Sequence, residues 1–214
     1  MLLIALTQIL VHYGFLKALD LPTALSDLNF FILSLATLFI AAAGYIINDI
    51  QDVAIDRINK PKKTFIPAPF SQNSAFNYYL VLNISGVGLG FLLSYRMGFG
   101  NFATLFILIS ALLYVYANFL KRVLLLGNLI VSVIVASAIG IVMVFDTIPV
   151  LQGNEQQLVN PLSVLKDYAV FALMLNFLRE IVKDIEDANG DYAAGIQSLP
   201  ILLGLERTAK LSAY

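Results

Sequence analysis

Three carboxylates with one spacing occur twice in this chain. Residues 48–56 read N-D-I-Q-D-V-A-I-D and residues 183–191 read K-D-I-E-D-A-N-G-D, so both contain D-x-x-D-x-x-x-D. On a helix, positions i, i+3 and i+7 lie within about 60° of one another. That puts Asp49, Asp52 and Asp56 on one face with Asn48 at its edge, and Asp184, Asp187 and Asp191 on another, with Gly190 leaving the second helix open to interruption. Like charges stacked this way repel, and beside an apolar segment they are also costly to desolvate. A cation among them relieves both penalties. With no cysteine and one histidine in the chain, oxygen ligands point to a hard ion such as Mg2+ or Ca2+. Mg2+ takes one or two carboxylates and completes its shell with water and phosphate oxygens, so two such clusters suit a polyphosphate clamped from opposite sides.

Basic residues accompany both clusters: Arg57, Lys60, Lys62 and Lys63 follow the first, Arg179 and Lys183 precede the second, and Lys121 and Arg122 lie between them. Cations and metal ligands together suit an anionic phosphate ligand. Either acidic copy alone would read as a solvated helix end, but two copies matched in spacing favour a site. Lys62 and Lys63 by themselves would be a topology signal. His12, inside an apolar run, reads as a packed residue rather than a base.

The elements that must position these residues are membrane spans. The chain is 59% hydrophobic and 13% charged, against about 45–50% apolar and about 25% charged for soluble domains. Its mean hydropathy is +0.84. Disordered, collagen-like and disulfide-rich secreted classes are excluded by these figures, and one histidine excludes a multi-histidine metal centre. Apolar runs of membrane length fall at 1–19, 28–47, 75–95, 99–120 and 123–145, with a sixth at 161–183 interrupted near its end by Arg179 and Glu180. A further run begins near Leu199. The polar stretches between them are 20–27, 48–73, a turn near Arg96, 121–122, 146–160 and 184–198. The expected fold is therefore all-α: one polytopic helical bundle, residues 1–214, with six complete spans and the start of a seventh. The first run lacks the basic flank and small-residue cleavage site of a signal peptide.

Numbering the loops alternately puts ten of the 13 Lys and Arg residues on one side, leaving Lys17, Arg96 and Lys166 on the other. The positive-inside rule makes the ten-residue side cytoplasmic. Four spans separate the acidic clusters, so both are expected at that cytoplasmic end.

These segments resemble the UbiA-type family of intramembrane prenyltransferases. The first signature stands as Asn48, Asp49, Asp52 and Asp56 running into Arg57-Ile58-Asn59-Lys60-Pro61, the second as Asp184, Asp187 and Asp191 continuing to Gly195 and Leu199-Pro200. The region from Tyr114 through Lys121-Arg122 to Gly127-Asn128 is similar to the family's fourth-to-fifth helix region. The likeness covers essentially the whole chain. The family usually has nine spans, so this chain reads as a fragment, incomplete at its C-terminus, with the completeness of its N-terminus left open. After Pro61 the family often carries Arg where Lys62-Lys63-Thr64 stands here, a less bidentate phosphate contact.

The resemblance implies Mg2+-dependent transfer of a prenyl group from an isoprenoid diphosphate to a hydrophobic or amphipathic acceptor in the bilayer, with no nucleic-acid partner. It implies metal ligation by Asn48, Asp49, Asp52, Asp56, Asp184, Asp187 and Asp191. It assigns catalytic roles to Lys121, Lys183, Asp56 and Asp191, and substrate contacts to Asn48, Arg57, Lys60, Lys63, Arg179, Asn128 and Tyr114. Residues 179–187 most resemble the branch that moves geranylgeranyl onto geranylgeranylglyceryl phosphate; an aromatic acceptor is the alternative. Three rivals fit less well. Soluble prenyl diphosphate synthases lack repeated apolar spans, and CDP-alcohol phosphotransferases carry a D-G-x-x-A-R core that is missing here. An acid-lined transporter would carry its carboxylates near midspan, whereas these adjoin Lys and Arg at span ends.

Overall fold

The computed structural model describes residues 1–59, 66–67 and 69–213; Lys60, Lys62 and Lys63 lie outside the described residues. The described chain is a bundle of long helices, α1 (Leu2–Leu19), α2 (Asp27–Asn59), α3 (Gln72–Arg96), α4 (Ala103–Asn118), α5 (Leu126–Asp146) and α6 (Glu155–Ala193), followed by short α7 (Leu199–Leu203) and α8 (Leu205–Ala213). Six of its helical segments are long and apolar enough to cross a membrane. Helices are what such segments must form, because lipid offers no partner for an unpaired peptide group. α1 changes pitch along its length, passing from α-helix to a π-helical stretch at Leu10–Leu16 and a 3-10 turn at Lys17–Leu19.

Two helices outrun their hydrophobic windows, and this difference builds the site. α2 has 33 residues and α6 has 39; at about 1.5 Å per residue both exceed the roughly 30 Å hydrocarbon core. The sequence reading ends its spans at Ile47 and Lys183 and treats 48–73 and 184–198 as polar connections. The structure instead continues both helices to Asn59 and Ala193, carrying the acids beyond the apolar core on rigid backbone. Gly190 does not interrupt α6. A second difference lies at the end: a break at Gly204, φ 86°, separates α7 from α8, so 199–213 is not the start of one straight span.

Packing holds the two long helices near each other. α2 packs against α3, α4 and α6, and α5 against α6. α3 lies close on α2 at Gly86, where an added Cβ would come within 2.7 Å of Ile40 and 3.0 Å of the Ala36 carbonyl oxygen. Small residues permit such close helix contact in lipid, where van der Waals packing replaces the hydrophobic drive. One apolar cluster, including Leu33, Leu93, Phe106, Val142 and Phe145, fills the end of the bundle away from the acids. A second, built on Ala43, Ile47, Ile50, Ile66, Ala75, Tyr79 and Ala117, underlies the acidic end of α2.

At the opposite end, His12 Nδ1 contacts Asp146 Oδ2, and both residues are fully buried. Asp146 Oδ1 accepts from the Leu25 amide at 3.0 Å, and the Ala24 amide donates to its main-chain carbonyl at 2.8 Å. His12 also stacks on Phe30 with ring centroids 4.3 Å apart. The packed reading of His12 therefore holds, while Asp146 is an interior residue and not the first residue of a solvated loop.

Candidate active site

The continued ends of α2 and α6 form facing walls of one cavity of about 420 Å³. α2 contributes Asn48, Asp49, Asp52 and Asp56; α6 contributes Glu180, Lys183, Asp184, Asp187 and Asp191. Lys121, on the 3-10 turn Leu120–Arg122, and Gly127 and Asn128, in the first turn of α5, close a third side. Tyr116 from α4 and residues Ile196, Gln197 and Ser198 complete the lining together with Tyr45 and Ile66. The two acidic repeats, far apart in sequence, thus meet at one end of the bundle.

Hydrogen bonds fix several of these groups. Lys121 Nζ lies 2.5 Å from Asp52 Oδ1, with both side chains largely buried. Asn48 Nδ2 donates to the other Asp52 oxygen at 2.8 Å, one helical turn away. Asn128 Nδ2 donates to Asp184 Oδ2 at 2.8 Å. The turn that carries Lys121 packs on α5 at Gly127, where a Cβ would lie 2.9 Å from the Lys121 Cα. Only glycine allows that approach without moving the lysine.

The donor set fits a hard cation. Asn48 turns its Nδ2 toward Asp52, which leaves its Oδ1 buried at the cavity without a hydrogen-bond partner. An orphaned oxygen costs about 1–3 kcal/mol, and a cation among neighbouring carboxylates would remove that cost. Among the described residues, no three acidic or histidine side chains converge as a ready-made metal cage. The carboxylates instead line two sides of an open volume, the arrangement expected when substrate phosphate and water supply the remaining ligands.

Ten sequence candidates line this cavity: Asn48, Asp49, Asp52, Asp56, Lys121, Asn128, Lys183, Asp184, Asp187 and Asp191. Three others lie elsewhere. Arg57 points from an exposed position on α2 and is not part of the lining. The Arg179 guanidinium turns outward, 68% exposed, and binds Glu180 at 2.6 Å. Tyr114 borders a separate shallow groove with Tyr79 and Ile107 on the α3–α4 side. Residues that alternate along a helix at i and i+1 or i+2 leave on different faces, which separates Arg57 from Asp56 and Tyr114 from Tyr116. The expected contacts from Lys60 and Lys63 lie outside the described residues.

Among the lining residues that escaped the sequence reading are Glu180 and Tyr116. Glu180 is 6% exposed and stands one helical turn before Asp184, so the i−4 spacing would have placed it on the acidic face. Tyr116 sits in an apolar run with no local signal to distinguish it from lipid-facing aromatics.

Known proteins resemble this chain along most of its length. The family model described as "UbiA prenyltransferase family" matches residues 10–214. A digeranylgeranylglyceryl phosphate synthase of Methanobrevibacter smithii is 35% identical over 190 residues, covering 88% of this chain and 60% of that protein. The synthase of the same name from Thermococcus sibiricus is 37% identical over 169 residues, covering 78% and 54%. A solved structure from work on digeranylgeranylglyceryl phosphate synthase in membranes superposes with a TM-score of 0.65 at 26% identity, covering 98% of this chain and 66% of that one. The chain therefore spans 60% or less of the length of these two curated relatives.

Proposed function

This chain belongs to the UbiA prenyltransferase family, and on that premise we propose that it transfers a geranylgeranyl group from geranylgeranyl diphosphate to the hydroxyl of geranylgeranylglyceryl phosphate. The observation that carries the reading is the meeting of both D-x-x-D-x-x-x-D segments on facing walls of one cavity, with Lys121 between them. The names of the two curated synthases support the acceptor. The surplus of Lys and Arg at this end supports a cytoplasmic mouth.

Asn48, Asp49, Asp52 and Asp56 from α2, with Asp184, Asp187 and Asp191 from α6, would hold Mg2+ against the donor diphosphate. When bound, the metal supplies positive charge for the phosphate oxygens. Lys121 and Lys183 face the same volume and add fixed cations where negative charge grows on the leaving group. The bond from C1 of the donor to the diphosphate oxygen breaks, the electron pair leaves with diphosphate, and an allylic cation remains. The acceptor oxygen then bonds to C1 and its proton passes to the released diphosphate. Tyr45 and Tyr116 line the cavity, and an aromatic ring face stabilises a nearby cation. The prenyl tail stays among apolar side chains, so water is kept from the cation.

The test is transfer from radiolabelled geranylgeranyl diphosphate in membranes carrying the protein, with Mg2+ or EDTA, against geranylgeranylglyceryl phosphate and 4-hydroxybenzoate. Mg2+-dependent product on the glyceryl acceptor, lost in Asp52→Ala and Asp187→Ala, is the expected result. Product on the aromatic acid alone would keep the transfer chemistry and overturn the acceptor. No transfer to either by folded protein would overturn the reading.

A further inference from the structure

The two acidic helices are joined at their ends by one side chain. Asn59, the last residue of α2, donates from Nδ2 to the Asp187 main-chain oxygen at 3.0 Å. Its Oδ1 accepts from the Gly190 amide at 2.8 Å. A single carboxamide thus makes a peptide-like pair of hydrogen bonds with α6, across the segment that lies between Asp187 and Asp191. Gly190 makes room for it: an added Cβ would lie 2.6 Å from the Asn59 Cγ, inside any real contact distance.

We propose that Asn59 is a positioning residue that sets the register of α2 against α6, so that the two sets of carboxylates face one another across the cavity. It lies one turn beyond Asp56, and its partners fall within the Asp187–Asp191 turn; the ends of both acidic faces are fixed by the same contact. Aspartate would keep an acceptor for the Gly190 amide but lose the donor to Asp187. Leucine would keep the volume and lose both bonds. Like the groups that hold metal ligands in place elsewhere, such a clamp acts on geometry without touching the ion. Its catalytic consequence rests on the transfer reading above; the clamp itself does not.

The experiment is chosen to separate the two. The chain has no cysteine, so cysteines introduced at exposed Ile58 and Tyr192 carry the only spin labels on this 214-residue chain in bilayers. Dipolar distance measurement should give one narrow distribution in the parent, and a broadened or shifted one in both Asn59→Leu and Gly190→Ala. The double variant should be no worse than Asn59→Leu, because both changes break one contact. Mn2+ used as a probe should bind about tenfold more weakly in Asn59→Leu, and that loss should be partly restored in Asn59→Asp. In the transfer assay, the Mg2+ requirement should rise while kcat at saturating Mg2+ is largely recovered. Unchanged distances and unchanged Mn2+ affinity in Asn59→Leu would overturn the clamp. Additive effects in the double variant would also overturn it. Distance changes in the variants, together with a folded parent that makes no prenyl transfer, would leave the clamp standing and remove the functional reading.

Discussion

Lys121 Nζ and Asp52 Oδ1 are 2.5 Å apart, with their side chains 8% and 17% exposed, although they come from different helical segments. Asp52 is the middle acid of its repeat, and its second oxygen is held by Asn48. The lysine therefore does two things with one charge: it neutralises a half-desolvated carboxylate and keeps a cation at the wall where phosphate would bind. Removing one member of such a pair leaves the other unpaired, which is costly at this depth.

The first prediction follows from that pairing. Lys121→Met should lower transfer by about a hundredfold, the scale of losing one preorganised charge at a developing anion. Asp52→Asn should do the same or more. The double variant should lose less than the product of the two, because the groups are in direct contact. A full multiplicative loss in purified, folded protein would mean that the residues act independently.

How much of this was legible in the sequence depends on the residue. The two aspartate patterns and the apolar runs were readable because helical spacing and span length are local properties. Span parity put both aspartate patterns at one end of the bundle, but not on facing walls of one cavity, which depends on how α2 and α6 pack. The length of α2 and α6 was not readable, since a hydropathy window ends where charge begins while a helix continues as long as its backbone is satisfied and packed. Glu180 was visible as a charge inside a span, but its burial against the cavity depends on Arg179 turning outward to meet it. Asp146 was read as a loop residue because its partner His12 lies on α1, far off in sequence. Arg57 and Arg179 were drawn to the site by proximity in sequence, which does not fix the face from which a long side chain leaves.

A second prediction concerns the metal. Asn48→Leu removes the orphaned Oδ1 and also the donor to Asp52. The Mg2+ concentration giving half-maximal transfer should rise by about tenfold or more. Asn48→Asp should need less Mg2+ than the leucine variant, since it restores an oxygen ligand. Equal Mg2+ dependence of Asn48→Leu and the parent would exclude this oxygen from the ion's surroundings.

Charge on the walls can be distinguished from charge outside them. Lys183→Ala should reduce transfer by about tenfold to a hundredfold, because its ammonium faces the cavity. Arg57→Ala removes an exposed side chain outside the lining, so its transfer rate should stay within about threefold of the parent, the scale of a screened surface charge. Initial rates at saturating and limiting donor decide the matter. A collapse of activity in Arg57→Ala, with Lys183→Ala unaffected, would put the diphosphate over the outer face of α2.

The pair at the far end of the bundle should matter for stability and not for chemistry. Asp146 takes the His12 contact and the Leu25 amide together, and both it and His12 are fully buried. Asp146→Ala leaves an imidazole and a main-chain N–H without their partner, at an expected cost of about 1–3 kcal/mol for each group. The double variant His12→Leu/Asp146→Leu should recover part of that loss, because replacing both polar side chains by apolar ones removes the unpaired imidazole. The site lies far off along both helices that the pair touches: Asn128 is roughly 27 Å along α5 from Asp146, and Asn48 roughly 27 Å along α2 from Phe30, at 1.5 Å per residue. The KM for donor and the Mg2+ requirement should therefore match the parent at temperatures where the variant remains folded. Thermal unfolding in detergent, followed alongside transfer kinetics, measures both quantities. A changed Mg2+ requirement at unchanged thermal stability would instead place the His12–Asp146 pair in communication with the acidic cavity.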